Sequence, residues 1–347
     1  MVKSLWQRLV NPDRVFIIAE VGVNHNGNVG MAKRLIDIAV NCGADAVKFQ
    51  TFKAEKLVCA NAPKAKYQIV NTTLDESQFQ MLKRLELSPC AHHELFSYCQ
   101  RKGIIFLSTP FDEESADFLY DLGVKIFKIP SGEITNLPFL KYLARKNCPL
   151  ILSTGMSTLK EVKEALKVIR SAGPAKIVLL HCVSNYPAQP KEINLRAMEA
   201  LFKAFHRPVG FSDHTLGIDI ALAAVARGAC VLEKHFTLDC QLKGPDHKVS
   251  LKPSQLKSLV SGVRNIELAL GHGRKEPVES EKAIARVARK SLVALCEIPA
   301  GTILTDEMIT VKRPGTGIPP AIKDRLLGRK TRVRIKADQL LTMEMLV

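Results

Sequence analysis

Eight short, almost uninterrupted apolar runs, each followed by a stretch of helical character, constrain this chain more than any other feature. They read VFIIAEV (15–21), AVKFQ (46–50), IIFLST (104–109), KIFKIP (125–130), LILST (150–154), KIVLLHC (176–182), PVGFSD (208–213) and CVLEKH (230–235). A strand with one wet face alternates apolar and polar residues. A run that is apolar throughout is buried on both faces, as in a parallel sheet covered by helices. Between the runs, residues 158–170 (TLKEVKEALKVIR) place Leu159, Val162, Leu166 and Ile169 on one helical face, and Thr158 with Glu161 spells a capping box. Glycines at 43, 103, 123, 173 and 228 punctuate helix ends. Eight strand–helix units joined by right-handed crossovers close into a (β/α)₈ TIM barrel, an α/β fold, with its eighth helix at 254–270.

At 347 residues the chain exceeds the needs of a barrel. A long insertion, 51–90, follows the second strand and is placed to shape the barrel mouth. The expected division is a barrel over 1–272, a charged linker over 273–289, and a small β-rich domain over 290–347. In that last part SLVAL, TVKR and TRVRI are broken by PAG and RPGTGIPP. The net charge is +16, but the basic residues are dispersed without a Lys/Arg run or an aromatic-basic motif. That favours small anionic substrates over nucleic acid. Nine cysteines, an odd number with no C-x-x-C pair, point to reduced thiols and away from a cysteine zinc site. No apolar span of membrane length appears, and the opening MVKSLWQRLVNPDR lacks a signal core, so the expected location is the cytoplasm, without membrane attachment.

Barrel active sites lie at the C-terminal ends of the strands. There the sequence places Glu20, then Asn24 and His25; Lys48 and Gln50; Ser108, Thr109 and Phe111; Lys128, Ser131 and Glu133; Ser153 and Thr154; His181, Ser184, Asn185 and Tyr186; Ser212, Asp213 and His214; and Glu233, Lys234 and His235. A lysine inside an apolar strand is costly unless it is paired or snorkels to the rim. Two of them, Lys48 and Lys128, together with Ser and Thr hydroxyls, suggest a cradle for phosphate. A Schiff base on Lys128 is the competing chemistry. His214 and His235 end neighbouring strands and suit a divalent ion completed by oxygen ligands, Mn²⁺ before Mg²⁺ or Co²⁺. Asp213 and Glu233 are placed to orient those rings or to bind water. Asp246, in GPDH, reads either as a hydroxyl-binding carboxylate or as a turn residue. His92 and His93 read as exposed residues of a helix, and His181 and His247 stay outside the core site.

The segments IAEVGVNHNG, AVKFQTF, STPFD, FKIPSGE, LSTGM, HCVSNYP, GFSDHT, EKHFTLD and KGPDH, in this order, resemble the sialic acid synthase family. The tail around VKRPGTG resembles its antifreeze-like (SAF, β-clip) domain. The resemblance implies metal-dependent condensation of phosphoenolpyruvate (PEP) with an N-acylated mannosamine-type sugar, giving a nine-carbon 2-keto acid and phosphate. It implies PEP contacts from Lys48, Thr109, Lys128, Ser131, Ser153, Ser184 and Ser212, with Ser184 standing where some members have Asn. It implies metal ligation by His214 and His235. Sugar contacts are implied for Glu20, Gln50, Phe111, Glu133, Tyr186 and Asp246, and for Arg313 reaching over from a partner chain in a domain-swapped homodimer. Glu20 and Glu133 are the candidates for proton transfer. Other PEP-dependent sugar-acid synthases share this chemistry, and the acceptor stays open between N-acetylmannosamine and its 2,4-diacetamido-6-deoxy analogue, with a pseudaminic-type acceptor less favoured.

Overall fold

The structure is a computed structural model that describes residues 4–72 and 76–347. It divides into two compact units, one ending at Gly271 and the other running His272–Val347. In the first unit eight parallel strands form one sheet: β1 (Phe16–Gly22), β2 (Ala46–Thr51), β3 (Ile105–Pro110), β4 (Phe127–Ile129), β5 (Leu150–Ser153), β6 (Ile177–Cys182), β7 (Val209–Asp213) and β8 (Val231–His235). The order β3-β2-β1-β8-β7-β6-β5-β4, with β3 lying against β4, is that of a closed barrel. All eight expected strands are present. β4 is shorter than its apolar run because the chain leaves the sheet at Pro130 and enters a 3₁₀ turn, Ser131–Glu133.

The pleat sorts the strand residues into two populations. Outward-facing side chains such as Ile17, Ala19, Val47, Phe49, Leu152, Leu179 and Leu232 pack beneath the helices as the main core. Inward-facing ones form layers: Phe16, Ile18, Ala46, Leu107, Ile126, Ile151, Val178 and Val231 fill the lower barrel. Above them the same alternation delivers Glu20, Lys48, Thr109, Lys128, Ser153, Ser212 and Glu233, all buried. The polar layer therefore rests on a closed apolar floor, and its groups meet water only through the mouth.

Helix Leu159–Ala172 begins on the expected capping box and buries Val162, Leu166 and Ile169, whereas Leu159 is exposed. The eighth helix runs Pro253–Leu270. The expected insertion at 51–90 includes residues 73–75, which lie outside the described residues. Around them it holds three short helices, Ala54–Leu57, Lys66–Asn71 and Gln78–Leu85, and a satellite core of Val23, Phe52, Ala54, Met81, Leu82 and Leu85. His92, expected to be exposed, is buried: Thr51 Oγ1 bonds its Nε2 at 2.8 Å and its Nδ1 donates to Ser88 O at 3.1 Å. No described helix is long and apolar enough to cross a membrane.

The second unit opens with a helix, Glu279–Ala288, followed by the antiparallel pair β9 (Ser291–Ala294) and β10 (Ile309–Lys312) and several isolated bridges. Leu292, Ile298, Leu304, Ile309, Ile335 and Leu341 form its own core.

Candidate active site

A cavity of ≈ 300 Å³ opens at the C-terminal ends of the barrel strands. Thirteen of the sixteen residues to which the family resemblance gives a role line it: Glu20, Lys48, Gln50, Thr109, Phe111, Lys128, Ser131, Ser153, Ser184, Tyr186, Ser212, His214 and His235. Three do not. Glu133 accepts a bond from Asn136 Nδ2 at 2.7 Å and is absent from the lining. Asp246 is buried beside the site, where desolvation pushes its carboxyl up to about 6 despite the attraction of Lys48. Arg313 belongs to the second unit.

The two lysines are only 3% and 4% exposed, which removes the snorkelling alternative. Lys48 Nζ lies 2.8 Å from Glu20 Oε2 and 3.8 Å from Glu233 Oε2, and donates to Thr109 Oγ1 at 3.0 Å. Lys128 Nζ lies 3.3 Å from Glu233 Oε1, which also accepts from Ser212 Oγ at 2.8 Å. Burial works against the Lys48 ammonium, but the two carboxylates outweigh it and hold the group charged. Glu20 is pushed up to about 7, chiefly by burial, against the pull of Lys48. Burial also opposes the Glu233 anion, yet its two lysines and Ser212 hold it well below the usual carboxylate range. Sequence reasoning placed Glu233 beside the imidazoles as an orienting group; here it joins the two lysines.

Asp213 is likewise no partner of the imidazoles. It faces outward and takes Lys234 Nζ at 2.6 Å, because β7 and β8 pair Ser212 with Glu233 on the inside and Asp213 with Lys234 on the outside. Asn24, just past β1, ties loops together by donating to Phe236 O and Ser250 Oγ.

On the opposite wall hydroxyls gather around a glycine. Gly155 N–H donates to Ser131 Oγ at 3.0 Å, and a Cβ there would stand 2.4 Å from Ser184 Oγ and 2.7 Å from Ser131 Oγ. Only a residue without a side chain lets these hydroxyls and a backbone N–H converge. Gly22 is constrained too: the β1–β2 register shifts between Glu20 and Gly22, φ is +54°, and a Cβ would press on Glu20 Oε1 and His235 Cε1.

His214 and His235 have ring centroids 5.8 Å apart. His214 Nδ1 lies 2.6 Å from Val183 O. A carbonyl only accepts, so Nδ1 carries the proton and Nε2 the lone pair. Both rings are kept neutral, first by burial. His235 Nδ1 and Glu233 Oε2 are buried without a hydrogen-bond partner among the described residues. Two neutral imidazoles and an unsatisfied donor set fit a divalent cation. No group of three or more His, Cys, Asp or Glu side chains forms a cage among the described residues. Further ligands would therefore be water or substrate oxygens.

Tyr67, from the insertion, also lines the cavity, and no motif in the sequence points to it. Its ring stacks on Tyr186 at 5.0 Å, and Tyr186 stacks on His214 at 4.1 Å.

The model of the NeuB family matches residues 35–275, and that of the SAF domain matches residues 289–347. The N,N'-diacetyllegionaminic acid synthase of Campylobacter jejuni is 52% identical over 94% of this chain and 99% of its own length. The enzyme of the same name from Legionella pneumophila is 47% identical over 95% of this chain and 94% of its own. Among solved structures, the N-acetylneuraminic acid (sialic acid) synthetase of Leptospira borgpetersenii, in complex with citrate, superposes with a TM-score of 0.70 at 36% identity, covering 78% of this chain and 90% of that one.

Proposed function

The chain belongs to the NeuB family and carries a SAF domain, and from that premise we propose that its barrel condenses PEP with an N-acetylmannosamine-type sugar to give a nine-carbon 2-keto acid and phosphate. The observation that carries this reading is the convergence of two buried lysines, a ring of hydroxyls and two neutral imidazoles on one small cavity. The favoured acceptor is the 2,4-diacetamido-6-deoxy sugar, giving N,N'-diacetyllegionaminic acid. Both relatives described above carry that name, at 52% and 47% identity over almost their whole length.

Lys48 and Lys128 hold the charges of PEP, while Thr109, Ser131, Ser153, Ser184 and Ser212 donate to its oxygens. Gln50, Phe111, Tyr186 and Asp246 shape the sugar side. His214 and His235 would hold a divalent ion, Mn²⁺ in preference to Mg²⁺ or Co²⁺, which would supply Lewis acidity toward the sugar's carbonyl. Carbon 3 of PEP bonds to the aldehyde carbon, and Glu20, on the cavity wall, delivers a proton to the oxygen that becomes the hydroxyl. Water adds at carbon 2 and returns one proton to Glu20; the bond from carbon 2 to the phosphate oxygen then breaks, its electron pair leaves with the phosphate, and the carbon-2 hydroxyl passes its proton to that phosphate as the ketone forms. Glu133, turned to Asn136, is the weaker of the two proposed acids. A Schiff base on Lys128 is disfavoured because its Nζ is turned to Glu233, 3.3 Å away, and a nucleophilic amine would have to leave that contact.

Arg313 is assigned to the sugar's N-acyl group from a partner chain in a domain-swapped homodimer, and the reaction to the cytoplasm, where the nine free thiols stay reduced. Phosphate release should be measured with PEP and each acceptor. The expected result is release with both, with the larger kcat/KM for the 2,4-diacetamido-6-deoxy sugar. No release with either acceptor in the presence of Mn²⁺ refutes the reading, and a preference for N-acetylmannosamine refutes the acceptor assignment.

A further inference from the structure

The lone pair of His214 Nε2 is the natural donor to a cation, yet it is already engaged. Tyr186 Oη lies 2.9 Å from it, and with Nδ1 donating to Val183 O, the phenol is the donor and Nε2 the acceptor. The two rings lie 4.1 Å apart and nearly parallel, 29° between planes, so the contact is held over a whole face. Tyr186 also meets His235 edge-on at 5.8 Å. Behind Tyr186 stands Tyr67, stacked at 5.0 Å with 21° between planes.

Tyr67 comes from the short helix Lys66–Asn71, which Lys64 precedes with an ion pair to Glu76 at 3.7 Å. Asn71 Nδ2 donates to Pro245 O at 2.8 Å, and Lys248 Nζ reaches Val70 O at 3.4 Å. None of the residues of this helix is buried. Little apolar burial therefore resists its displacement, and the brace behind Tyr186 is held by polar contacts.

We propose that Tyr186, braced by Tyr67, is a cap on the metal-ligating nitrogen of His214, and that cation binding displaces this phenol and frees its hydroxyl for the acceptor sugar. The inference rests on the reading of His214 and His235 as metal ligands. It adds a coupling: the ion and the acceptor share one residue, so occupancy by the ion prepares the sugar side. The displaced phenol exchanges its bond to imidazole for one to a sugar hydroxyl, and Tyr67 sets how readily it leaves. Tyr186 is thus a positioning residue for the ion as well as a contact for the sugar.

The test is titration of metal-free protein with Mn²⁺ alone, followed by calorimetry and by the electron paramagnetic resonance signal of free Mn²⁺, in wild type, Tyr186→Phe, Tyr67→Ala and His214→Ala. Removing a competing hydrogen bond is worth roughly a 3- to 10-fold gain in affinity. Tyr186→Phe should bind Mn²⁺ tighter by that factor, Tyr67→Ala should shift the same way by less, and His214→Ala should lose binding. In wild type, near-ultraviolet circular dichroism of the tyrosines should change on adding Mn²⁺ as the stack opens. Unchanged or weaker binding by Tyr186→Phe, with binding lost in His214→Ala, overturns the cap and leaves the metal site standing. An unchanged tyrosine signal at saturating Mn²⁺ overturns the cap as well. Wild-type affinity in His214→Ala overturns the metal site and the cap together.

Discussion

Gly155→Ala tests the hydroxyl cradle with one added carbon. The backbone at Gly155 is outside the left-handed region, so alanine meets no φ penalty and the effect is purely one of space. The new Cβ would lie 2.4 Å from Ser184 Oγ, 2.7 Å from Ser131 Oγ and 2.8 Å from Cys182 Sγ, where real Cβ atoms stay beyond 3.0 Å. Ser184 Oγ must retreat by about 0.6 Å and Ser131 Oγ by about 0.3 Å simply to reach that limit. Both serines can rotate, so the fold survives. Overpacking costs about 1–3 kcal/mol, against a total stability of about 5–15 kcal/mol.

The cost falls on the ligand. A hydrogen bond to a charged oxygen is worth about 1.5–3 kcal/mol, and two donors are displaced at once. If each loses about half its value, PEP binding weakens by roughly 1.5–3 kcal/mol, or about 10- to 100-fold in KM. The acceptor KM should change little, because the three atoms nearest the new carbon belong to Ser184, Ser131 and Cys182, none of them assigned to the sugar. Steady-state phosphate release at varied PEP and saturating acceptor, beside a thermal melt, reads both effects. A folded Gly155→Ala protein with an unchanged PEP KM refutes the placement of the phosphate on this wall.

Asp246→Asn reports on burial. A folded value of about 6, above the ordinary 3.8, means that the folded state favours the neutral acid. Its stabilising contribution is full below the ordinary carboxylate range and is lost as pH rises through about 6, on the order of 3 kcal/mol in all. Asparagine cannot ionise, so the variant should gain on wild type by up to about that much between pH 4 and pH 8 in urea unfolding; an equal difference at both pH values refutes the burial argument. Borohydride added with PEP and acceptor should leave Lys128 unmodified, since its amine is engaged by Glu233 at 3.3 Å; a mass adduct on that residue reinstates the Schiff base. Arg313→Ala should raise KM for the acceptor and leave that for PEP, and mixing it with a barrel-site variant should restore activity if the residue acts across a dimer.

The strands were legible because burial on both faces leaves only apolar residues along most of each run. Lys48 and Lys128 stood out against that background for the same reason: a charge in such a run needs a local cause. The pleat also held information that residue type alone hid. Counting by two from Ser212 and Glu233 puts His214 and His235 inside and Asp213 and Lys234 outside, so the outward ion pair follows from register. Lys48 meets Glu20, its register partner on the next strand, but what pairs with Lys128 was not readable, because Glu233 meets it across the barrel and not along any strand. Tyr67 was hidden for a different reason. It reaches the cavity from a loop positioned by distant groups, Pro245 among them, and no periodicity encodes such an anchor. Gly155 looked like an ordinary turn residue, and its role appears only when the neighbouring hydroxyls have coordinates.

The net charge of +16 does not originate in the cavity. There Lys48 and Lys128 already face Glu233 and the Glu20 carboxyl, which burial raises to about 7, so part of the lysine charge is offset before an anion arrives. PEP must therefore compete with these resident carboxyl groups, and its net gain comes from donors that carry no balancing charge, the hydroxyls of Ser131, Ser153 and Ser184, with Gly155 N–H held on Ser131 Oγ. The excess lies on the outside. Lys160, Lys163, Lys167 and Arg170 line one surface groove along helix Leu159–Ala172, and none forms an ion pair among the described residues. Charges of this kind raise the local concentration of anions over a range of about 10 Å at 0.1 M salt but cannot distinguish one anion from another. Attraction and selection are thus separate properties of this chain, the first spread over its surface and sensitive to salt, the second confined to a buried layer that salt does not reach.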